Sequence, residues 1–171
     1  MKLLNIKLTN WRNYESLDLD LDEKVNEIIG NNGSGKTNLV EAIHYLSNCR
    51  SWRSSTSDVL IKKGEKKAYI VGKVKTGDLT KEISLEVSKG SKKISINGNL
   101  AKRVSELSKL VNVLLFTSKD VALFTTSPFA RRSFLDETIC KKNETYLDDL
   151  RSYNNLLNER NTLLKDERID F

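Results

Sequence analysis

Gly30-Asn31-Asn32-Gly33-Ser34-Gly35-Lys36-Thr37 fits the pattern G-x-x-x-x-G-K-[ST] at every fixed position. Glycines in such a loop let successive backbone N–H groups turn toward a phosphate, and a helix opening behind them adds its positive end to the same spot. Lys36 is then placed to reach the β- and γ-phosphates of a nucleotide such as ATP, and the Thr37 hydroxyl to ligate Mg²⁺. The flanks agree: Val25-Asn26-Glu27-Ile28-Ile29 reads as a short strand running into Gly30, and Leu39, Val40, Ala42, Ile43 and Leu46 recur at helical spacing after the loop. Strand, glycine loop and helix in this order predict an α/β nucleotide-binding fold.

Working outward, Leu3 to Leu8 and then Leu17, Leu19 and Leu21 alternate with polar residues, which predicts two early strands joined by a turn over Asn10 to Ser16. Beyond the serine-rich Ser51 to Ser57, alternation returns in Ala68, Ile70, Gly72 and Val74, in Ile83, Leu85 and Val87, and in Ile94 and Ile96. Gly77-Asp78, Gly90-Ser91 and Asn97-Gly98 punctuate these runs and predict an antiparallel meander. Val111 to Phe116 reads as a further buried strand. Pro128 then opens a helix through Phe134, Leu135 and Ile139, and Tyr146, Leu150, Tyr153, Leu157 and Leu164 form the apolar stripe of a long helix from Glu144 to about Lys165. A one-faced helix of that length normally packs against a second, so the sequence is expected to be a piece cut within a helical hairpin.

The 171 residues suit one domain with an appendage. Hydrophobic residues make up 38% and charged residues 30%, with 8 Gly and 1 Pro, which excludes collagen-like, proline-rich and disulfide-scaffold classes. No apolar run could cross a bilayer and the first residues lack a signal-peptide core, so no membrane role and a cytoplasmic address are expected. Cys49 and Cys140 lie far apart with one histidine in the chain, His44, and read as reduced packing thiols. The net charge of +6 is unevenly placed: from Arg50 to Arg103 there are 14 Lys or Arg against 5 Asp or Glu. Such a basic block points to an anionic partner such as a nucleic-acid backbone.

Asn10-Trp11-Arg12-Asn13-Tyr14, the glycine loop continued as Asn38-Leu39-Val40-Glu41-Ala42, and Cys49-Arg50-Ser51-Trp52-Arg53 carry a resemblance to the RecF family of bacterial recombination mediators. It continues in Leu115 to Asp120, in Pro128 to Asp136 and in Tyr153 to Asn161, with Ser118 and Lys119 standing where the family usually has Pro and Glu. It implies the N-terminal part of a P-loop ABC-type ATPase head over 1–126, containing a mixed sheet, an antiparallel meander and the post-loop helix. The start of a helical arm would follow over 127–171. It implies ATP and Mg²⁺ as cofactors, gapped or junction DNA and RecR as partners, and an ATP-dependent homodimer of the intact protein. The expected nucleotide-binding residues are Gly30, Asn31, Asn32, Gly33, Ser34, Gly35, Lys36, Thr37 and Asn38, together with Arg12, which the resemblance places beside the nucleotide; Thr37 is the expected metal ligand.

Such heads also need a Leu-Ser-x-Gly signature and an apolar strand ending in Asp-Glu. The chain has no Leu-Ser-x-Gly, and the run Leu110 to Phe116 ends in Thr117. No catalytic residue is therefore assigned, and nucleotide binding without hydrolysis is expected. A Rad50- or SMC-like head of another DNA-maintenance system, and a basic nucleic-acid-binding module without nucleotide switching, remain alternatives. A GTPase is disfavoured because Thr117-Ser118-Lys119-Asp120 has the guanine-motif letters in the wrong order, and a nucleotide kinase because the hairpin-rich middle does not suit an arginine lid. Trp11 and Trp52 are read as core or loop anchors, His44 as a satisfied helix residue, and Arg131-Arg132 as solvated.

Overall fold

The computed structural model describes residues 1–117 and 127–165 and divides into two compact units, Met1–Leu115 and Phe116–Phe171. In the first, β1 (Lys2–Trp11) and β2 (Tyr14–Asp20) form a hairpin, followed by helix α1 (Lys36–Asn48) and a single 3-10 turn at Asp58–Leu60. Strands β3 (Lys67–Thr76), β4 (Leu79–Ser88), β5 (Ser91–Ile96) and β6 (Asn99–Leu100) complete a sheet of order β2-β1-β3-β4-β5-β6, and helix α2 (Ser105–Leu110) follows. All pairings within this sheet are antiparallel.

Period-2 alternation decides which face is buried. Ile6 and Leu8 on β1, Ala68, Ile70 and Val74 on β3, and Ile83, Leu85 and Val87 on β4 all point to one side and are buried together with Leu39, Ala42, Tyr45 and Leu46 of α1. Each such large aliphatic side chain contributes on the order of 1.5–3 kcal/mol on leaving water. Gly72 sits where α1 comes closest: a Cβ there would meet Leu46 Cδ1 at 2.7 Å, so glycine lets the helix rest on the sheet. Trp11 is fully buried, its ring 5.3 Å from that of Tyr45 and its indole N–H donating to Asn38 O at 2.9 Å, which makes it the core anchor expected. Trp52 meets the buried His44 edge to face at 5.2 Å.

The Asn97-Gly98 turn has both residues at positive φ, 49° and 79°, the geometry that joins two strands through a two-residue loop. The β1–β2 turn is tighter than expected. Trp11 and Tyr14 still pair, leaving only Arg12 and Asn13 between them, with Arg12 at φ 53°.

Two expected strands do not form. Val25 to Ile29 pairs with nothing among the described residues, and Val25 and Ile29 are 81% and 80% exposed. The chain ahead of it turns on itself: Asp22 N–H donates to Asn26 Oδ1, Asn26 Nδ2 to Asp22 O, and Lys24 N–H to Asp22 Oδ1, each at 2.8 Å. Such side-chain bonds compete with a strand ladder. Val111 to Phe116 is likewise unpaired; Val111 is buried, but Leu114 and Phe116 are 90% and 76% exposed. An apolar run becomes a strand only where a neighbour supplies the other half of its backbone hydrogen bonds.

The second unit holds α3 (Pro128–Lys142) and α4 (Glu144–Leu163), close to the two helices expected. Asn143 caps α4, its side chain accepting from Thr145 N–H at 3.0 Å, and Tyr146 O–H donates to Asp136 Oδ1 at 2.7 Å to tie the helices together. Much of the expected α4 stripe is exposed, including Tyr153 and Leu164, whereas Leu150 and Leu157 are half-buried. Arg131 and Arg132 are exposed as expected, and Ser118, Lys119 and Asp120 lie outside the described residues.

The cysteines are both free thiols in different surroundings. Burial pushes the Cys49 thiol up to about 11, partly offset by Lys92, whereas Cys140 is half-buried. Only the thiolate alkylates, and at pH 8 a thiol of that acidity is roughly 0.1% ionised. Iodoacetamide at pH 8 should therefore label Cys140 in the native chain and reach Cys49 only after denaturation, as peptide mass mapping would read; equal labelling of both would contradict this packing.

Candidate nucleotide site

The loop before α1 keeps its helix end open. Gly35 occupies the N-cap position at φ 107° with no side-chain cap, and no acidic residue stands in the first turn. The first N–H groups of α1 therefore have no competing side chain, and the positive end of the helix stays available to an anion. Glycine is required at the cap: a Cβ on Gly35 would lie 2.8 Å from Asn13 Nδ2 and 3.1 Å from Tyr14 Cε2, in a left-handed conformation. Gly33, at φ 82°, has nothing within 4 Å of its Cβ position, so the crown of the loop is open.

Lys36 spans this loop. Its ammonium donates to Gly30 O at 2.5 Å and Asn31 O at 2.8 Å, while Ser34 N–H donates to Asn31 O at 3.2 Å. Thr37, one residue on, is exposed. Asn31, Asn32, Gly33 and Ser34 are exposed as well. The structure thus closes Gly30 to Lys36 into one loop, with Thr37 exposed beside it.

Asn38 lies at its flank and is held on three sides. Its Nδ2 donates to Asn13 Oδ1 at 2.8 Å, its Oδ1 accepts from Arg53 Nη1 at 2.7 Å, and its carbonyl accepts from Trp11. Asn13 Nδ2 also donates to Ser34 O at 3.3 Å and Tyr14 O–H to Gly35 O at 3.2 Å, so the β1–β2 turn braces the loop. An open cleft of about 500 Å³ beside the start of α1 is lined by Arg12, Asn13, Asn38, Arg53 and Lys63 among others.

Arg12 reaches this cleft through a partner that the sequence reading missed. Glu41, fully buried, accepts from Arg12 Nε at 2.9 Å and from Arg12 Nη2 at 2.7 Å, while Arg12 Nη1 donates to Val59 O at 2.9 Å. Ser51 O–H donates to the same carboxylate at 2.5 Å, and Arg53 Nη1 stands 3.5 Å from it. One carboxylate on α1 therefore clamps the β1–β2 turn and the 51–60 segment to the helix that carries the loop. The available signal was spacing: Asn38, Glu41 and Tyr45 stand three and four apart, placing a charge on a flank of α1 that faces protein. Among the described residues no group of acidic, histidine or cysteine side chains is arranged to hold a metal, so a cation here would rely on Thr37 and on phosphate oxygens.

Comparison with known proteins gives the family. Residues 2–122 match the model of the RecF/RecN/SMC N terminal domain. A DNA replication and repair protein RecF of Clostridium botulinum (strain ATCC 19397 / Type A) is 40% identical over 166 residues, 96% of this chain and 46% of that protein. The RecF of Clostridium tetani (strain Massachusetts / E88) is 42% identical over 161 residues, 94% of this chain and 44% of its own. A solved structure of the recombination mediator protein RecF-ATP superposes with a TM-score of 0.82 at 36% identity, covering 98% of this chain and 47% of that one. A structure from work on ATP-driven dimerization of SMC ATPases has a TM-score of 0.65 at 21% identity over 81% of this chain and 99% of that one, which speaks to fold alone. The chain spans about half the length of the RecF proteins it matches. Its fold is that of the N-terminal portion of a P-loop ABC-type ATPase head, and the chain belongs to the RecF/RecN/SMC N-terminal domain family, with RecF proteins similar to it along nearly its whole length.

Proposed function

We propose that this chain binds ATP with Mg²⁺ at the Gly30–Thr37 loop, as the N-terminal part of a RecF-type DNA replication and repair protein. The observation that carries this is the uncapped N-terminus of α1 opening inside a glycine loop that Lys36 spans. The triphosphate would lie against the N–H groups of Gly33 to Thr37, with Asn31, Asn32 and Ser34 around it. Lys36 would leave Gly30 O and Asn31 O for phosphate oxygens, exchanging neutral acceptors for charged ones. Thr37 would supply the protein ligand to Mg²⁺, which neutralises phosphate charge when bound. Arg12 and Asn38, lining the adjoining cleft, would border the rest of the nucleotide.

Binding of ATP and ADP should be weak but measurable by calorimetry, and Lys36→Ala should weaken it by roughly 10- to 100-fold, the size of a charge-assisted contact. Equal affinities for wild type and variant would end this reading. Thr37→Ala should instead remove most of the Mg²⁺ dependence while retaining nucleotide contact.

In a protein of the relatives' length, the N-terminal part of an ABC-type ATPase head would span 1–126 and the beginning of a helical arm 127–171. Its role would be recognition of gapped or junction DNA, ATP-dependent homodimerisation and recombinase loading with RecR, in the cytoplasm. Support comes from the RecF relatives, from the ATP in the name of the solved RecF structure, and from the basic surplus. Among the described residues no helix is long and apolar enough to cross a membrane. A Rad50- or SMC-like head of another system is the second reading, favoured by the shared fold.

A further inference from the structure

Two parts of the basic block of the sequence lie apart in the fold. On the sheet face away from α1, lysines are matched by acids on neighbouring strands: Lys7 stands opposite Asp18, Lys73 opposite Glu82 and Glu86 opposite Lys93. Two ion pairs close on this face, Lys7 to Asp18 at 2.7 Å and Lys67 to Glu86 at 2.8 Å. Bonding to these lysines draws the Asp18 and Glu86 carboxyls below their ordinary range. Signs that alternate between strands cancel within a Debye length, so this face offers little field to a polyanion.

The other part lies at the end of the sheet where α1 stops. An open cavity of about 450 Å³ lies between the 51–57 loop and the β4–β5 turn, and no Asp or Glu lines it. Arg50 and Lys92 line it, with the hydroxyl residues Ser55, Ser57 and Ser91, and exposed Lys89 precedes the lining residue Gly90. Lys92 donates to Cys49 O at 3.1 Å, which offsets the negative C-terminal end of α1. Neither Arg50 nor Lys92 has a carboxylate partner among the described residues.

We propose that this acid-free cavity, with Arg50 and Lys92 at its rim, holds the phosphodiester backbone of a nucleic-acid strand. The proposal rests on the reading that the chain contacts DNA and locates that contact away from the flat lysine-bearing face. A polymer fits better than a free phosphate because the donors do not converge. Ser51 O–H is turned to Glu41 and Ser54 O–H to Thr56 O, so these hydroxyls are not gathered on one point of the cavity. Separate cations along a rim match charges spaced along a strand.

The test is fluorescence anisotropy of a labelled oligonucleotide against the 171-residue chain over a salt series. Arg50→Ala combined with Lys92→Ala should weaken binding roughly tenfold at low salt and lower the slope of log affinity against log salt by about 2. Arg50→Gln alone, which breaks no contact of the fold, should lower it by about 1. Lys7→Ala combined with Lys67→Ala should stay within about twofold of wild type, because those charges are already paired with Asp18 and Glu86. Loss confined to the Lys7 and Lys67 variant, or no loss with Arg50→Gln, would overturn the cavity while leaving DNA binding intact. Absence of binding by the wild-type chain would overturn both, and weakened ATP affinity with unchanged DNA affinity in the cavity variants would give the pocket to a free nucleotide instead.

Discussion

Arg12→Ala is expected to cost this fold ~3–5 kcal/mol, because it strands a fully buried carboxylate. Glu41 is 0% exposed, and Arg12 supplies two of the hydrogen bonds that compensate its charge. The remaining partners are weaker replacements. Ser51 is neutral, and Arg53, whose side chain is 41% exposed, stands 3.5 Å away. Arg53→Ala should accordingly cost less than ~1 kcal/mol, as exposed pairs do. Glu41→Gln keeps one acceptor oxygen, enough for Arg12 Nη2 and Ser51, but removes the charge and turns an NH2 donor toward Arg12 Nε, so it should fall between the two. Urea denaturation of the three variants measures the order. An Arg12→Ala protein within about 1 kcal/mol of wild type would mean that water or rearrangement solvates Glu41, and that the clamp is not what holds the β1–β2 turn to α1. The same experiment bears on the site, since Arg12 cannot both leave Glu41 and leave the fold unaffected; any contribution it makes to nucleotide binding is made from within the clamp.

The second large effect concerns turnover: the 171-residue chain should bind ATP without hydrolysing it. Hydrolysis needs a water held in line with the γ-phosphate and donors covering the charge that develops. In the proposed site the loop, Lys36 and the start of α1 would supply that cover alone. The resemblance to ABC-type heads assigns the water to an acid ending an apolar strand, and the opposite side to a Leu-Ser-x-Gly signature. Neither motif occurs in these residues, and Val111 to Phe116, the apolar run closest to such a strand, forms none. Removing water-positioning groups and transition-state donors costs on the order of 10²–10⁵ in rate. Phosphate release from the purified chain should therefore match that of Lys36→Ala. Multiple turnover by wild type, abolished by Lys36→Ala, would show that a carboxylate within these residues completes the site.

The sequence by itself determined the parts whose physics is local. The glycine loop follows from residue types at fixed spacing, because φ freedom, a helix start and a lysine are properties of neighbours in the chain. Helix α1, the meander of β3 to β5 and the two later helices follow from periodicity and turn chemistry, since the period of apolar residues selects which backbone can bury them. Tertiary structure decided whatever needed a partner distant in sequence. Val25 to Ile29 and Val111 to Phe116 carry strand-forming residues yet pair with no strand among the described residues, since composition cannot state whether a neighbour's backbone is present to bond. Glu41 looked like an ordinary helix residue until Arg12, Ser51 and Arg53 met it from two other segments. The charge of the basic block also depended on the fold, because strand register sets lysines opposite Asp18, Glu82 and Glu86 on one face and leaves Arg50 and Lys92 without acids at the edge, and electrostatic cancellation is fixed by distance in space.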